Sequence, residues 1–173
     1  MLASFSYDYI KRRKDVTMRW KVEDMEQIIA MEEYVDTLLY PVCVSFEEKW
    51  DENWIKEQFW LERVCGYTER QLTGRLLLFQ TLFIARKKEM NEGFSTALIE
   101  QNIQALIQRF PHCIVVTNDS TLSIELIKKG VQAYVISAPP EEKTDTKFFL
   151  EKALSESNRV VKSCIALWRN ELK

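Results

Sequence analysis

The chain has 173 residues, 46% of them hydrophobic and 29% charged, with a formal net charge of −2, which suits one globular domain with a real core. A balance this near neutrality excludes a global basic field, so nucleic acid is not an expected partner, and neither is an anionic membrane surface. No apolar run reaches the ~18 residues of a membrane span and nothing resembles a signal peptide, so a cytoplasmic location is expected.

Two scarcities narrow the chemistry. His112 is the single histidine, and Cys43, Cys65, Cys113 and Cys164 form no CxxC and each sit in an apolar run. They read as buried, reduced thiols, and an ordinary zinc site has no ligand set. Glycine occurs only at positions 66, 74, 93 and 130, so neither GxGxxG nor GxxxxGK[ST] can be written. No cofactor and no metal is expected. Ser45, Ser120 and Ser123 have no suitably placed histidine, which excludes a Ser-His-Asp triad.

Residues 1–17 lack any helix or strand period and carry Lys11, Arg12, Arg13 and Lys14 in a row. They read as a flexible basic arm, as an electrostatic anchor for an acidic partner, or as a non-native extension. Lys11-Arg12-Arg13 can be encoded by a purine-rich run like a ribosome-binding site, with Met18 following at a workable spacing. N-terminal mass spectrometry of the native protein separates these readings. Residues 18–173 are expected to form a single α/β domain.

An apolar stripe of Met25, Ile28 and Ile29 backed by Glu23, Glu26 and Glu33 predicts a helix from Val22 to about Tyr34. Pro41 is expected to break the chain before a first strand over Val42–Phe46. Asp51 is a good N-cap for a helix through Trp54, Phe59, Trp60 and Val64. An interruption is expected at Gly66, then a turn closing at Gly74 in a positive-φ position. Leu76–Phe79 reads as a second strand, buried on both faces. Residues 85–93 read as a charged loop, in which Arg86-Lys87-Lys88 is either a phosphate contact or a solvated run. Ile99, Ile103, Leu106 and Phe110 mark a helix from about Phe94, stopped by Pro111.

The segment His112–Ala138, HCIVVTNDSTLSIELIKKGVQAYVISA, is the clearest βαβ unit. It runs strand, capped turn, short helix, Gly130 stop and strand, and so predicts parallel pairing with a right-handed crossover. Pro139 and Pro140 open a loop, and a last helix from about Thr144 or Asp145 buries Leu150, Leu154, Val161, Ile165, Trp168 and Leu172. The alternation predicts a three-layer αβα sandwich, flavodoxin-like or Rossmann-like, with a mainly parallel sheet of about four strands in the order 2-1-3-4. The final helix is expected to pack across the first. The aromatic cluster of Trp50, Trp54, Phe59 and Trp60 cannot share one helix face, so one side reads either as a partner surface or as covered by another element.

Open α/β sheets place ligands at the carboxyl ends of their strands. Glu47, Gln80, Thr81, Asn118, Asp119 and Ser137 are therefore the candidate binding residues, for a partner protein or a small ligand, with no catalytic role. Glu47 with Glu48 could form an acid–base pair, or could be solvated first-turn acids. Asn118 and Asp119 could equally be helix caps. His112 sits at a strand entry, away from that edge. The run VVTNDSTLSIELIKKGV resembles the strand-turn-helix of PIN-like nucleases. That resemblance implies a divergent metal-dependent nuclease using Asp36, Asp119 and Glu47 or Glu48, because a metal that activates water needs clustered carboxylates. However, Asp36 precedes the expected first strand, where the family pattern needs it after.

From Met18 onward the chain resembles the YpiF-like family of unknown function from Bacillus-type bacteria. The resemblance is carried by MRW at Met18–Trp20, EYVDTLLYPVCVSF at Glu33–Phe46 and ERQLTGRLLLF at Glu69–Phe79. It implies a small cytosolic protein without an assigned activity, beginning at Met18. It also implies a respiratory context, since genes of that family tend to lie near those for menaquinol–cytochrome c reductase.

Overall fold

Parallel pairing dominates the molecule. The computed structural model describes residues 17–45, 52–85 and 93–170; the basic arm and the Arg86-Lys87-Lys88 run lie outside them. The strands are β1 (Thr37–Ser45), β2 (Leu76–Leu78), β3 (Leu82–Ala85), β4 (His112–Thr117) and β5 (Gln132–Val135). β1 is central: it pairs with β4 on one side and with both β2 and β3 on the other, and β4 pairs with β5, all in parallel. β2 and β3 occupy one edge position end to end, so the spatial order matches the expected 2-1-3-4.

The helices are α1 (Met25–Ala30, after a 3-10 turn at Val22–Asp24), α2 (Glu52–Gln71), α3 (Gly93–Leu106), α4 (Ser120–Lys128) and α5 (Lys147–Asn170). α2 and α5 cover one face. There Trp60, Leu61, Val64 and Cys65 meet Leu39, Cys43, Ile114 and Val116, and Phe149, Ala153, Val160 and Cys164 close the layer. α3 and α4 cover the other face, with Ile99, Ile103, Leu122 and Leu126 on Tyr40, Val42, Val44 and Val115. Met18, Ile28 and Phe110 extend that face over Leu38 and Leu77. The strand period of two thus sorts alternate residues of β1 and β4 between the two layers.

Several expectations need correction. β1 does not start after Pro41 but runs through it. α2 continues past Gly66 to Gln71, because Gly66 is buried in the helix interior and packs beside Arg19. Gly74, at φ +99°, supplies the left-handed residue after the helix. α1 stops at Ala30, and α3 at Leu106, four residues before Phe110. α5 packs along α2 instead of across the first helix: the Phe149 ring lies 5.1 Å from Trp60 and 6.0 Å from Phe59. Such aromatic pairs add about 0.5–1.5 kcal/mol each beyond burial. Trp60 is accordingly core, Trp54 packs 6.0 Å from Phe83, and Trp50 lies outside the described residues. No helix among the described residues is long and apolar enough to cross a membrane.

Pro41 explains the split edge strand. Phe79 N–H donates to the Leu39 carbonyl at 2.9 Å, so odd-numbered backbone groups of β1 face the β2/β3 side. Position 41 shares that direction, and proline has no N–H to give. The ladder opens there. Leu39 pairs with Leu78 but Val42 pairs with Leu82, so three steps on β1 match four on the edge strand. One extra residue within Phe79-Gln80-Thr81 is a β-bulge.

Candidate functional site

The carboxyl rim forms as expected, but its polar atoms hold the framework. Asn118 follows the last residue of β4. Its Oδ1 accepts from Val44 N–H at 2.8 Å, and its Nδ2 donates to the Val44 carbonyl and to Glu57 Oε2, both at 2.9 Å. The side chain thus adds one rung to the β1–β4 ladder. Asp119 is buried, and its Oδ1 accepts from Leu122 N–H at 3.0 Å, capping α4. The cap satisfies one of the donors every helix start exposes. Ser137 is held through its backbone: its N–H donates to Glu156 Oε1 at 3.1 Å and its carbonyl accepts from Trp60 Nε1 at 2.8 Å. Glu47 and Glu48 lie outside the described residues.

Asp36 stands at the opposite end of the sheet. Thr37 pairs with His112 and Val42 with Thr117, so Asp36 and Asp119 are separated by at least ~17 Å along the strands at ~3.3 Å per residue. The shared cleft that a PIN-like metal site requires is therefore absent for this pair. Among the described residues no group of three or more His, Cys, Asp and Glu side chains could hold a metal ion. Asp36 belongs to a latch instead. Arg75 reaches it through Nε at 3.0 and 3.1 Å and Nη2 at 2.9 Å. Thr37 Oγ1 donates to Asp36 at 2.6 Å while accepting from Trp168 Nε1 at 2.8 Å, and the Arg75 guanidinium lies 4.1 Å from the Trp168 ring centroid. Burial opposes ionisation of Asp36, but the Arg75 and Thr37 hydrogen bonds and the Arg75 charge outweigh it and hold the carboxyl below its ordinary range.

The thiols offer no nucleophile. Burial, reinforced by Glu57 and Glu62, pushes Cys43 up to about 12. Burial likewise pushes Cys113 and Cys164 up to about 12, and Cys65 higher still. The thiolate needed for attack is negligible at neutral pH.

Gln80 and Thr81 lie elsewhere than expected. Because the edge strand resumes at Leu82, they sit opposite the middle of β1, not at the carboxyl rim. The bulge lets them line a cleft of about 260 Å³ with Arg19, Trp20, Pro41 and Phe79. Its outer wall is the segment before α1. Leu78 N–H donates to the Met18 carbonyl at 2.8 Å and Trp20 N–H to the Leu78 carbonyl at 2.9 Å, so Arg19 bridges β2 like a strand residue. Met18 N–H donates to the fully buried Glu69 Oε1 at 2.7 Å. Burial raises the Glu69 carboxyl above its ordinary range; the Met18 N–H, Arg19 and Arg70 only partly offset this.

A second cleft, of about 220 Å³, adjoins the first across Arg19 and Glu62. It lies on the outer face of α2, where Arg63, Tyr67 and Arg70 recur at helical spacing over Gly66. A Cβ on Gly66 would come 3.1 Å from Arg19 Nη2, so the glycine makes room for that guanidinium. Sequence reading missed this group. The Arg63–Tyr67–Arg70 spacing was visible on α2, but Arg19 joins it only through tertiary packing.

A family model described as "Protein of unknown function (DUF2487)" matches residues 26–168. No curated protein and no solved structure matches the chain.

Proposed function

Since the chain belongs to the DUF2487 family, whose function is unknown, we propose from its geometry that it is a non-enzymatic domain binding a small ligand in the cleft at the edge-strand bulge. The observation that carries this is the one-residue register change opposite Pro41, which separates β2 from β3 and leaves Gln80 and Thr81 lining a concave site. Bulges at sheet edges commonly re-aim side chains at functional sites. A small ligand is preferred to a partner protein because the site is concave and mixes polar with aromatic and aliphatic walls, as small-molecule sites do. The carboxyl rim contributes support: Asn118, Asp119 and Ser137 hold the strands that carry the cleft.

The test is a ligand screen read by amide and indole NMR signals. Binders are expected to move Gln80, Thr81 and Trp20 and to leave Asn118 and Ser137 in place. Binders that move only the rim signals, or none that move the bulge, refute the reading.

Three further readings belong with this one. Residues 18–173 form one domain, supported by Met18, which is buried beneath the bridge to β2. A cytoplasmic location is supported by four cysteines, all free. Membership of the YpiF-like group of Bacillus-type bacteria is supported by the Glu33–Phe46 and Glu69–Phe79 segments.

A further inference from the structure

The two adjoining clefts differ in chemistry. The bulge cleft has Trp20, Pro41, Leu78 and Phe79 in its walls. The cleft on α2 is walled by Arg19, Arg63 and Arg70 against one lining carboxylate, Glu62. Each alone is smaller than the ~300 Å³ at the low end of small-molecule sites, and joined across Arg19 they fall within that range. Among the described residues no carboxylate lies within ion-pair distance of Arg63 or Arg70; the Arg63 guanidinium instead lies 4.8 Å from the Phe59 ring centroid. Arg19 Nε is buried and forms an ion pair with Glu69 Oε2 at 3.7 Å, too long for a hydrogen bond, so its N–H has no hydrogen-bond partner. Three arginines line one concavity against Glu62 and the Arg19-paired Glu69, an excess of one positive charge, and an oxyanion would offset that excess while accepting from their forked donors.

We infer that the ligand carries a phosphate or carboxylate group seated among Arg19, Arg63 and Arg70, with an uncharged, partly apolar body extending into the bulge cleft beside Trp20, Gln80 and Thr81. This rests on the reading above and adds to it the ligand's charge and its two-part shape. Tyr67 supplies a further hydroxyl at the anion end. Gly66 sets the depth of that end, because a Cβ there would come 3.1 Å from Arg19 Nη2 and press on that guanidinium.

The probes are inorganic phosphate, phenyl phosphate and the uncharged benzyl alcohol, titrated into the full chain with arginine Nε–H, tryptophan indole and backbone amide signals recorded. Phosphate is expected to shift Arg19, Arg63 and Arg70. Phenyl phosphate is expected to shift these and also Trp20, Gln80 and Thr81, and to bind at least tenfold more weakly to R63Q/R70Q. Equal shifts at the bulge from benzyl alcohol and phenyl phosphate, with the three arginines unmoved, overturn the anionic ligand and leave the bulge site standing. Arginine shifts with Trp20, Gln80 and Thr81 unmoved overturn the two-part ligand and the bulge reading with it. Equal shifts at Arg109 and Arg159, outside both clefts, mean a diffuse charge effect and overturn the inference. The wild-type titrations decide among these even if the double variant misfolds.

Discussion

Asn118→Ala separates a framework role from a binding role at the carboxyl rim. The substitution removes three hydrogen bonds and strips both backbone groups of Val44, a residue only 2% exposed, of their partner. An unsatisfied buried backbone group costs about 1–3 kcal/mol. Asn118 itself is half-buried, so water entering the vacated space recovers part of that loss, and a net cost of about 2–3 kcal/mol is expected. At about 2–4 °C per kcal/mol for a chain of this size, the melting temperature should fall by about 4–12 °C. Urea denaturation should show a lower midpoint with an unchanged slope, because no additional surface is exposed on unfolding. Asn118→Asp keeps the acceptor for Val44 N–H but loses the donor and faces Glu57, so it should be at least as destabilised at neutral pH. Repulsion by Glu57 raises the new carboxyl, so that deficit should shrink as pH falls through the carboxylate range. Should Asn118→Ala stay within about 0.5 kcal/mol of wild type, the extra-rung account is wrong and the amide is available for other work.

Asp36→Asn should cost about 1 kcal/mol at pH 7, the upper range for a half-exposed ion pair. Asp36 has a folded value below its unfolded one, so its contribution is present above pH ~4 and is lost as pH falls through the folded value. The gap between variant and wild type should close in acid, by urea denaturation at pH 7 and below pH 3. Glu69→Gln runs the other way. The raised carboxyl favours folding in its protonated form, so that contribution is full below the unfolded value of ~4.3 and is lost as pH rises through the folded one. The neutral isostere still accepts from Met18 N–H, so it should equal or exceed wild-type stability at pH 7 and lose that advantage in acid, by thermal denaturation at both pH values. Gly66→Ala should gain up to about 1 kcal/mol from helix propensity while weakening phenyl phosphate binding, since the new Cβ crowds Arg19. Parallel losses of stability and binding would contradict the role assigned to that glycine.

Much of the architecture was legible because its signals are local. Ile114–Val116, the Asp119 cap and the Gly130 stop lie within one short stretch, and the structure forms that βαβ unit with Gly130 at φ +83°. Pro41 was misread because proline is ordinarily excluded from a central strand; it is tolerated here because its missing donor faces the bulge, a fact of pairing that the chain order does not display. The same bulge moved Gln80 and Thr81 from the expected rim to mid-sheet. The rim's location was readable from the parallel sheet, but the commitment of Asn118 to Val44, 74 positions away, was not. The arginine cleft was hidden for the same reason, since its members come from the segment before α1 and from the second half of α2.

The single supernumerary residue in the edge strand also acts as a parity switch. Leu76 and Leu78 face the α2 layer, yet Leu82 and Ile84 pack with the α3 and α4 layer, although all four positions are even. Were Phe79-Gln80-Thr81 to keep its length but run as regular strand, Leu82 and Ile84 would hold the even phase and turn toward α2. Removing one of its residues instead leaves Leu82 opposite Val42, three steps matching three, with the same layer beneath it. The extra residue thus lets one edge position serve both helical layers, and shortening the tripeptide by one closes the bulge while leaving the packing of Leu82 and Ile84 in place.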